Sequence, residues 1–224
     1  MTVALIPARG GSKRLPRKNL CLFAGRPLLF YSIALAQAVK QIDRCVVSTE
    51  DREIADVARG YGAEVIDRPP ALADDLTSTA SVAAHALRTL ELDSRTPDVL
   101  VLFQPNCPLR PKSLVVRALD LLDDTADSVV SVTPHHRKAG NIQNGLFVPD
   151  YRPGIRSQDM PTRYFENGLV YVTWARTVLE QGSLFGRRIR PVVTEPLYAM
   201  GDIDTALDLA VAEFLFETHR NHFE

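Results

Sequence analysis

Hydrophobic positions along the chain fall into two alternating rhythms. Val3-Ala4-Leu5-Ile6 is an unbroken β-type run closed by Pro7, the pattern of a strand buried on both faces. Leu28, Leu29, Ile33, Leu35, Ala36 and Val39 recur at helical spacing and predict a helix over 28–39. Cys45-Val46-Val47 predicts a second strand ending at Ser48-Thr49. Asp51 then N-caps a helix through Ile54, Val57 and Ala58 that stops at Gly60 or Gly62. Ala63–Ile66 reads as a third strand, followed by the turn Asp67-Arg68-Pro69-Pro70, and residues 78–90 as an Ala-rich helix. Val99–Phe103 is the strongest strand signal and stops at Gln104-Pro105. A helix over 113–122 and a strand over 128–132 follow. Residues 169–172 and 189–193 predict two more strands, separated by a helix near 175–181, and a last helix covers 205–216.

This alternation predicts a mostly parallel sheet covered by helices on both faces, an α/β fold in three layers. Ligands of such folds bind at the C-terminal edge of the strands. Only 134–165 breaks the pattern. It is polar and rich in Gly, Pro, Asn and His, and reads as an inserted lobe or lid within one domain spanning 1–224.

Composition narrows the function. A formal net charge of −1 on 224 residues gives no global attraction to nucleic acid or to an anionic membrane, so any anion site must be local. Cys21, Cys45 and Cys107 are odd in number and without a C-x-x-C pair, which argues against a disulfide framework or structural zinc and suits a reducing compartment. The apolar stretch at the N-terminus is too short for a signal peptide or a membrane span. The expectation is a cytoplasmic protein.

The local anion site is the segment after the first strand. Ala8-Arg9-Gly10-Gly11-Ser12-Lys13-Arg14-Leu15-Pro16-Arg17-Lys18-Asn19 holds five basic side chains between positions 9 and 18. Glycines permit close backbone approach to phosphate, successive N–H groups form anion nests, and Arg presents a planar fork. A Walker A loop and a dinucleotide G-x-G-x-x-G are both absent. On composition alone a purely solvated basic loop stays open as the alternative. Asp202 and Asp204, spaced i, i+2 on an extended segment, place two carboxylates on one face, a donor set suited to Mg²⁺. Taken in isolation they would equally cap the last helix.

From Ile6 to Asn19 the chain resembles the signature loop of the CMP-sialic acid synthetase (acylneuraminate cytidylyltransferase) family, whose usual form is close to I-P-A-R-x-G-S-K-x-[LI]-P-x-K-N. The likeness continues in order through Gly25-Arg26-Pro27-Leu28, Val47-Ser48-Thr49-Glu50, Arg68-Pro69, Leu72-Ala73-Asp74-Asp75 and Gln104-Pro105. It goes on through Pro108-Leu109-Arg110, Arg156-x-Gln158, Glu166-Asn167-Gly168 and Asp202-Ile203-Asp204-Thr205. It implies a Rossmann-like sheet of the nucleotide-diphospho-sugar transferase type with a small dimerisation lobe, hence a homodimer. It also implies a Mg²⁺-dependent transfer of CMP from CTP to an acidic nine-carbon sugar.

By the same resemblance Arg9 and Lys18 contact the triphosphate, with Ala8, Gly10, Ser12 and Asn19 completing the nucleotide site. Asp75, Ser78 and Thr79 belong near the base, although capping the helix at 78–90 is an equal reading for them. Gln104, Arg156, Gln158 and Asn167 face the sugar, with a solvated loop arginine open as the other reading of Arg156, and Asp202 and Asp204 hold the metal. Lys13, Arg14 and Arg17 stay undecided between phosphate and solvent, and no residue is assigned as general base.

Two departures bear on the sugar. Asn106-Cys107 stands where family members commonly have Thr-Ser, and Pro134-His135-His136-Arg137-Lys138-Ala139-Gly140 lacks the usual His-His-Pro. Pseudaminate, legionaminate or another nonulosonate fits as well as N-acetylneuraminate. The rivals are a cytidylyltransferase for the eight-carbon sugar Kdo, whose loop typically reads T-R-L-P-G-K-P, and a non-catalytic nucleotide-binding protein of the same fold.

Overall fold

The computed structural model describes residues 1–92 and 97–219. β1 (Thr2–Pro7) leads into the basic loop, which ends in a 3-10 turn at Lys18–Leu20. β2 (Leu22–Phe23) and β3 (Arg26–Pro27) form a tight ribbon before α1 (Leu28–Ala38). Then come β4 (Arg44–Thr49), α2 (Arg52–Gly60), β5 (Glu64–Asp67), α3 (Thr79–Leu92), β6 (Val99–Leu102) and α4 (Lys112–Asp120). The second half holds β7 (Ser128–His135), the hairpin β8 (Gly140–Gln143) and β9 (Leu146–Pro149), β10 (Arg163–Trp174), α5 (Ala175–Gln181) and β11 (Ile189–Val193). A single turn, α6 (Pro196–Ala199), and α7 (Ala206–Thr218) close the described chain.

Seven strands form one sheet in the order β11-β7-β10-β6-β1-β4-β5. β10 alone runs antiparallel to its neighbours; the other pairings are parallel. From β1 the chain winds outward through β4 to β5, then returns to place β6 on the other side of β1. The connections at the C-terminal ends of β1 and β6 therefore diverge and leave a crevice between them, the switch point where such sheets bind ligands.

Side chains of successive strand residues point to opposite faces, so each strand feeds two cores. Ala4, Ile6, Val47, Val101 and Phe103 pack against α1, α2 and α4 through Leu29, Ile33, Ile54, Leu114 and Val115. Val3, Leu5, Val46, Leu100 and Leu102 pack against α3 and α5 through Leu87, Leu90 and Val178. A third cluster of Phe23, Leu28, Leu109, Ile203, Ala212 and Leu215 fastens α7 under the β2–β3 ribbon. It brings the C-terminal acidic segment back to the first loop. No helix among the described residues is long and apolar enough to cross a membrane.

The strand expected at 169–172 is longer, because β10 begins at Arg163 and carries a bulge between Glu166 and Tyr171. The irregular 134–165 stretch contains the β8–β9 hairpin and one 3-10 turn at Ser157–Asp159. Ile142, Leu146, Phe147 and Val148 on the hairpin, with Tyr164 and Phe165 on β10, are exposed apolar side chains.

Candidate active site

The crevice at the ends of β1 and β6 is a cleft of about 640 Å³. Its outer wall is the basic loop, whose shape follows from a few contacts. Ala8 is buried and donates its N–H to the Ser48 carbonyl at 3.0 Å, extending the β1–β4 ladder by one bond. Gly10 donates to Glu50 Oε1 at 2.7 Å, and any side chain there would collide with Asp51. Buried Asn19 donates Nδ2 to the Arg9 carbonyl at 2.9 Å and draws the two ends of the loop together.

The five basic residues then part company. Arg17 sits in the left-handed region (φ 56°) and turns away from the cleft onto Asp51 and Glu53. The Asp51 bond raises the Arg17 guanidinium pKa further, and the same bond holds the Asp51 carboxyl below its ordinary value. Arg9, Lys13, Arg14 and Lys18 line the cleft. Arg9 donates to the Asp74 carbonyl at 3.1 Å and pairs with Asp75 at 2.8 Å. Lys13 also pairs with Asp75, and these two cations, Lys13 first, lower the Asp75 pKa. Lys18 Nζ lies 2.8 Å from Asp204 Oδ1, and Arg14 lies 2.6 Å from Asp204 Oδ2. Each phosphate-type cation is thus already held by a carboxylate.

The inner wall comes from the end of β6 and from the segment before α7. Gln104 lines the cleft and is backed by Gly168, where an added Cβ would come within 3.0 Å of Gln104 Oε1. Beneath it, buried Arg110 donates to the carbonyls of Gln104 (3.0 Å) and Leu169 and stacks on Phe103 at 4.6 Å. Burial brings the Arg110 pKa down to about 10, which leaves it charged at neutral pH. Asp202 faces the cleft, yet desolvation by its surroundings, followed by the charge of Asp204, raises its pKa. Cys107, fully buried beside it with Sγ 4.0 Å from Asp202 Oδ1, is pushed up to about 12 by burial and is an unreactive thiol at neutral pH.

Of the residues expected at the nucleotide site, Arg9, Ser12, Lys18, Asn19, Asp75 and Thr79 line the cleft, as do Gln104, Asp202 and Asp204. Ala8 and Gly10 shape the loop from behind. Ser78 lies outside the cleft and caps α3, its Oγ accepting the Ser81 N–H at 3.1 Å. Arg156 and Gln158 are exposed on the lobe and do not line this chain's cleft; Arg156 forms a two-pronged pair with Asp159 at 2.6 and 3.1 Å.

Asn167, expected at the sugar, does not line the cleft. It is buried at the β10 bulge, where its oxygen accepts from Ser131 Oγ (2.5 Å) and the Leu169 N–H (3.2 Å). Its amide hydrogens go to Thr133 Oγ1 (2.9 Å) and Thr194 Oγ1 (2.8 Å). All four of its hydrogen-bonding sites are spent, so it holds the bulge that presents Gly168 to Gln104.

Two cleft residues were noted in the sequence but given no role there. Arg68, read as part of a turn and of the family resemblance, is buried at the back of the cleft, bonded to Ser48 Oγ (3.2 Å) and carbonyl, and 4.0 Å from Glu50. Asn106 donates Nδ2 to Asp202 Oδ1 at 2.6 Å. Among the described residues no cluster of three or more His, Cys, Asp or Glu forms a metal cage. Two carboxylates beside a phosphate-type loop still fit Mg²⁺, which commonly takes one or two protein carboxylates and completes its shell with phosphate oxygens and water.

Comparison with known proteins agrees with this geometry. Residues 3–170 match the family model described as Cytidylyltransferase. The chain is 33% identical to the CMP-N,N'-diacetyllegionaminic acid synthase of Legionella pneumophila, with 97% of each chain covered. It is 32% identical to the pseudaminic acid cytidylyltransferase of Campylobacter jejuni, again over 97% of both. The fold is similar to that of a CMP:2-keto-3-deoxy-manno-octonic acid synthetase solved with CTP, with a TM-score of 0.73, 17% identity, and 97% of this chain and 98% of that one covered. A basic loop at the switch point, an acidic pair facing it, and sequence similarity along the whole chain lead to one assignment: the protein belongs to the cytidylyltransferase family, within its CMP-sialic acid synthetase-like group, and is a CTP-dependent nucleotidyltransferase.

Proposed function

We propose that the protein transfers CMP from CTP to the anomeric hydroxyl of a nonulosonic acid, an N-acylneuraminate or a relative such as legionaminate or pseudaminate. The observation that carries this reading is the cleft itself. The loop of Arg9 and Lys18 faces Asp202 and Asp204 across the switch point, in a chain similar end to end to enzymes named for such acids.

In the reaction the anomeric oxygen attacks the α-phosphorus, the bond from that phosphorus to the bridging oxygen breaks, and pyrophosphate leaves with the electron pair. The hydroxyl proton passes to a base that no residue is assigned to. Arg9, Lys13, Arg14 and Lys18 take the triphosphate by exchanging their carboxylate partners for phosphate oxygens, so the cleft keeps its charges aligned before substrate arrives. Ala8 and Gly10, whose N–H groups are bound to Ser48 and Glu50, hold the loop in shape behind the cleft, Ser12 borders the triphosphate space, and Asn19 keeps the loop folded. Asp75 and Thr79 border the space for the base. Gln104, able to donate and accept, meets sugar hydroxyls.

Asp202 and Asp204 would hold Mg²⁺, which neutralises charge on the phosphate oxygens when bound. Arg156 and Gln158 stand on the exposed apolar lobe, and we assign them to the cleft of a second copy in a homodimer. Without a spanning helix or a paired cysteine framework in the described residues, a cytoplasmic site of action fits the reading. Mass analysis of protein, CTP and Mg²⁺ incubated with legionaminic, pseudaminic or N-acetylneuraminic acid tests it. A CMP adduct of at least one acid is expected. Intact CTP with all three would contradict it.

A further inference from the structure

We infer that Asn106 is a positioning residue whose side-chain amide aims the Asp202 carboxylate into the cleft. This rests on the proposed function for the same site. The segment carrying Asp202 is pinned at both neighbouring positions. Gly201 packs so closely on Leu109 that an added Cβ would lie 2.7 Å from Leu109 Cγ. Ile203 is fully buried in the cluster under α7, and its N–H donates to the Asn106 carbonyl at 2.8 Å. With the backbone fixed, the side-chain torsions of Asp202 decide where its charge points. Asn106 Nδ2 fixes them through its 2.6 Å bond to Oδ1.

The assignment of nitrogen rather than oxygen to that contact follows from chemistry. An ionised carboxylate only accepts, so the amide atom facing it must be the donor. The bond engages Oδ1, and among the described residues no side chain bonds Oδ2.

The contrast with Asp204 sets the value of this contact. Asp204 is held by Lys18 and Arg14, the same cations that the triphosphate would draw away. Its orientation in the free protein therefore depends on partners that leave when nucleotide binds. Asn106 is neutral and binds no phosphate strongly, so its grip on Asp202 persists through that exchange. A neutral donor also orients the carboxylate without cancelling the charge that attracts a cation. Hydrogen bonds of this kind to metal-binding side chains typically set affinity by about 10- to 100-fold.

The test uses the whole protein with Mn²⁺ as probe, measured by electron paramagnetic resonance at saturating CTP, beside CTP affinity measured without metal. Asn106→Ala is expected to weaken Mn²⁺ binding by about 10-fold or more while CTP affinity stays within about twofold. Asn106→Thr, which restores a short hydroxyl donor, is expected to recover most of the loss. A purely structural role would not produce this split, and the backbone bond from Ile203 survives in both variants. Equal Mn²⁺ affinity in wild type and Asn106→Ala, with wild-type binding intact, overturns the Asn106 assignment alone. Wild-type protein that takes CTP but no Mn²⁺ overturns the metal reading of the cleft as well.

Discussion

Lys18 and Arg17 are adjacent in sequence and opposite in role. Lys18 is mostly enclosed, with its side chain 17% exposed, and points at Asp204 inside the cleft; Arg17 points out to Asp51 and Glu53. Lys18→Ala is expected to lower kcat/KM for CTP by about 100-fold or more, the scale of losing one charged donor to a developing phosphate charge. Arg17→Ala is expected to leave kcat/KM within a few-fold and to cost less than about 1 kcal/mol, because its ion pairs are largely open to solvent. Steady-state kinetics and thermal unfolding of the two variants check this, and equal losses in both would contradict it. The sequence could not separate the five basic residues, since which way each points depends on acidic partners distant in the chain, from Asp51 for Arg17 to Asp204 for Arg14. Arg9, Lys18 and Asn19 were picked out through the family resemblance, Gln104 also by its place at the end of a clear strand and the Asp202–Asp204 pair also by its spacing before the last helix, and all of them line the cleft. The contacts of Asn106 and Arg68 were not readable, for their partners are set by tertiary packing. The contacts of Asn167 were not readable for the same reason: its four bonds reach Ser131, Thr133, Thr194 and Leu169, three of them on distant segments.

At the scale of elements, the buried strands and helices were readable because each carries one period over its whole length. The outer half of β10 was hidden. Its residues face solvent and its bulge contains Asn167-Gly168, so alternation fails where the strand continues. The β2–β3 ribbon was hidden too, being two residues per strand around the left-handed Ala24 (φ 44°) and Gly25 (φ 82°). The sheet's β11 edge is tied down by charge. Thr125 and Arg190 hold Asp123 at about 2, and Arg188, by side chain and backbone, holds Asp127 at about 2. Both folded-state values lie below the ordinary carboxylate value near 3.9. Such groups contribute stability above the unfolded pKa and lose it as pH falls through the folded one. The unfolding midpoint is therefore expected to drop as pH falls from about 4 toward about 2, and Asp127→Asn to flatten part of that dependence. Calorimetry across this range checks it; an unchanged slope in the variant would contradict it.

For the molecule as a whole, the lobe carries features that one chain does not explain. Ile142, Leu146 and Phe147 are 55% or more exposed, an apolar face rarely left open to water. Arg156 and Gln158 stand on the same lobe, away from their own cleft. Phe147→Asp is expected to shift the protein from dimer to monomer in analytical ultracentrifugation and to reduce turnover with it. A monomeric wild type would contradict the dimer, and a variant that still dimerises would contradict its placement on this apolar face. The central claim is the reaction itself, and it is tested most directly by pyrophosphate release from CTP and Mg²⁺ against a panel of nonulosonic acids and Kdo, with Asp204→Ala as control. Release with at least one nonulosonate, absent with Kdo and lost in the control, is the predicted result. Release with Kdo alone, or none with any acid by a protein that binds CTP, would contradict the account.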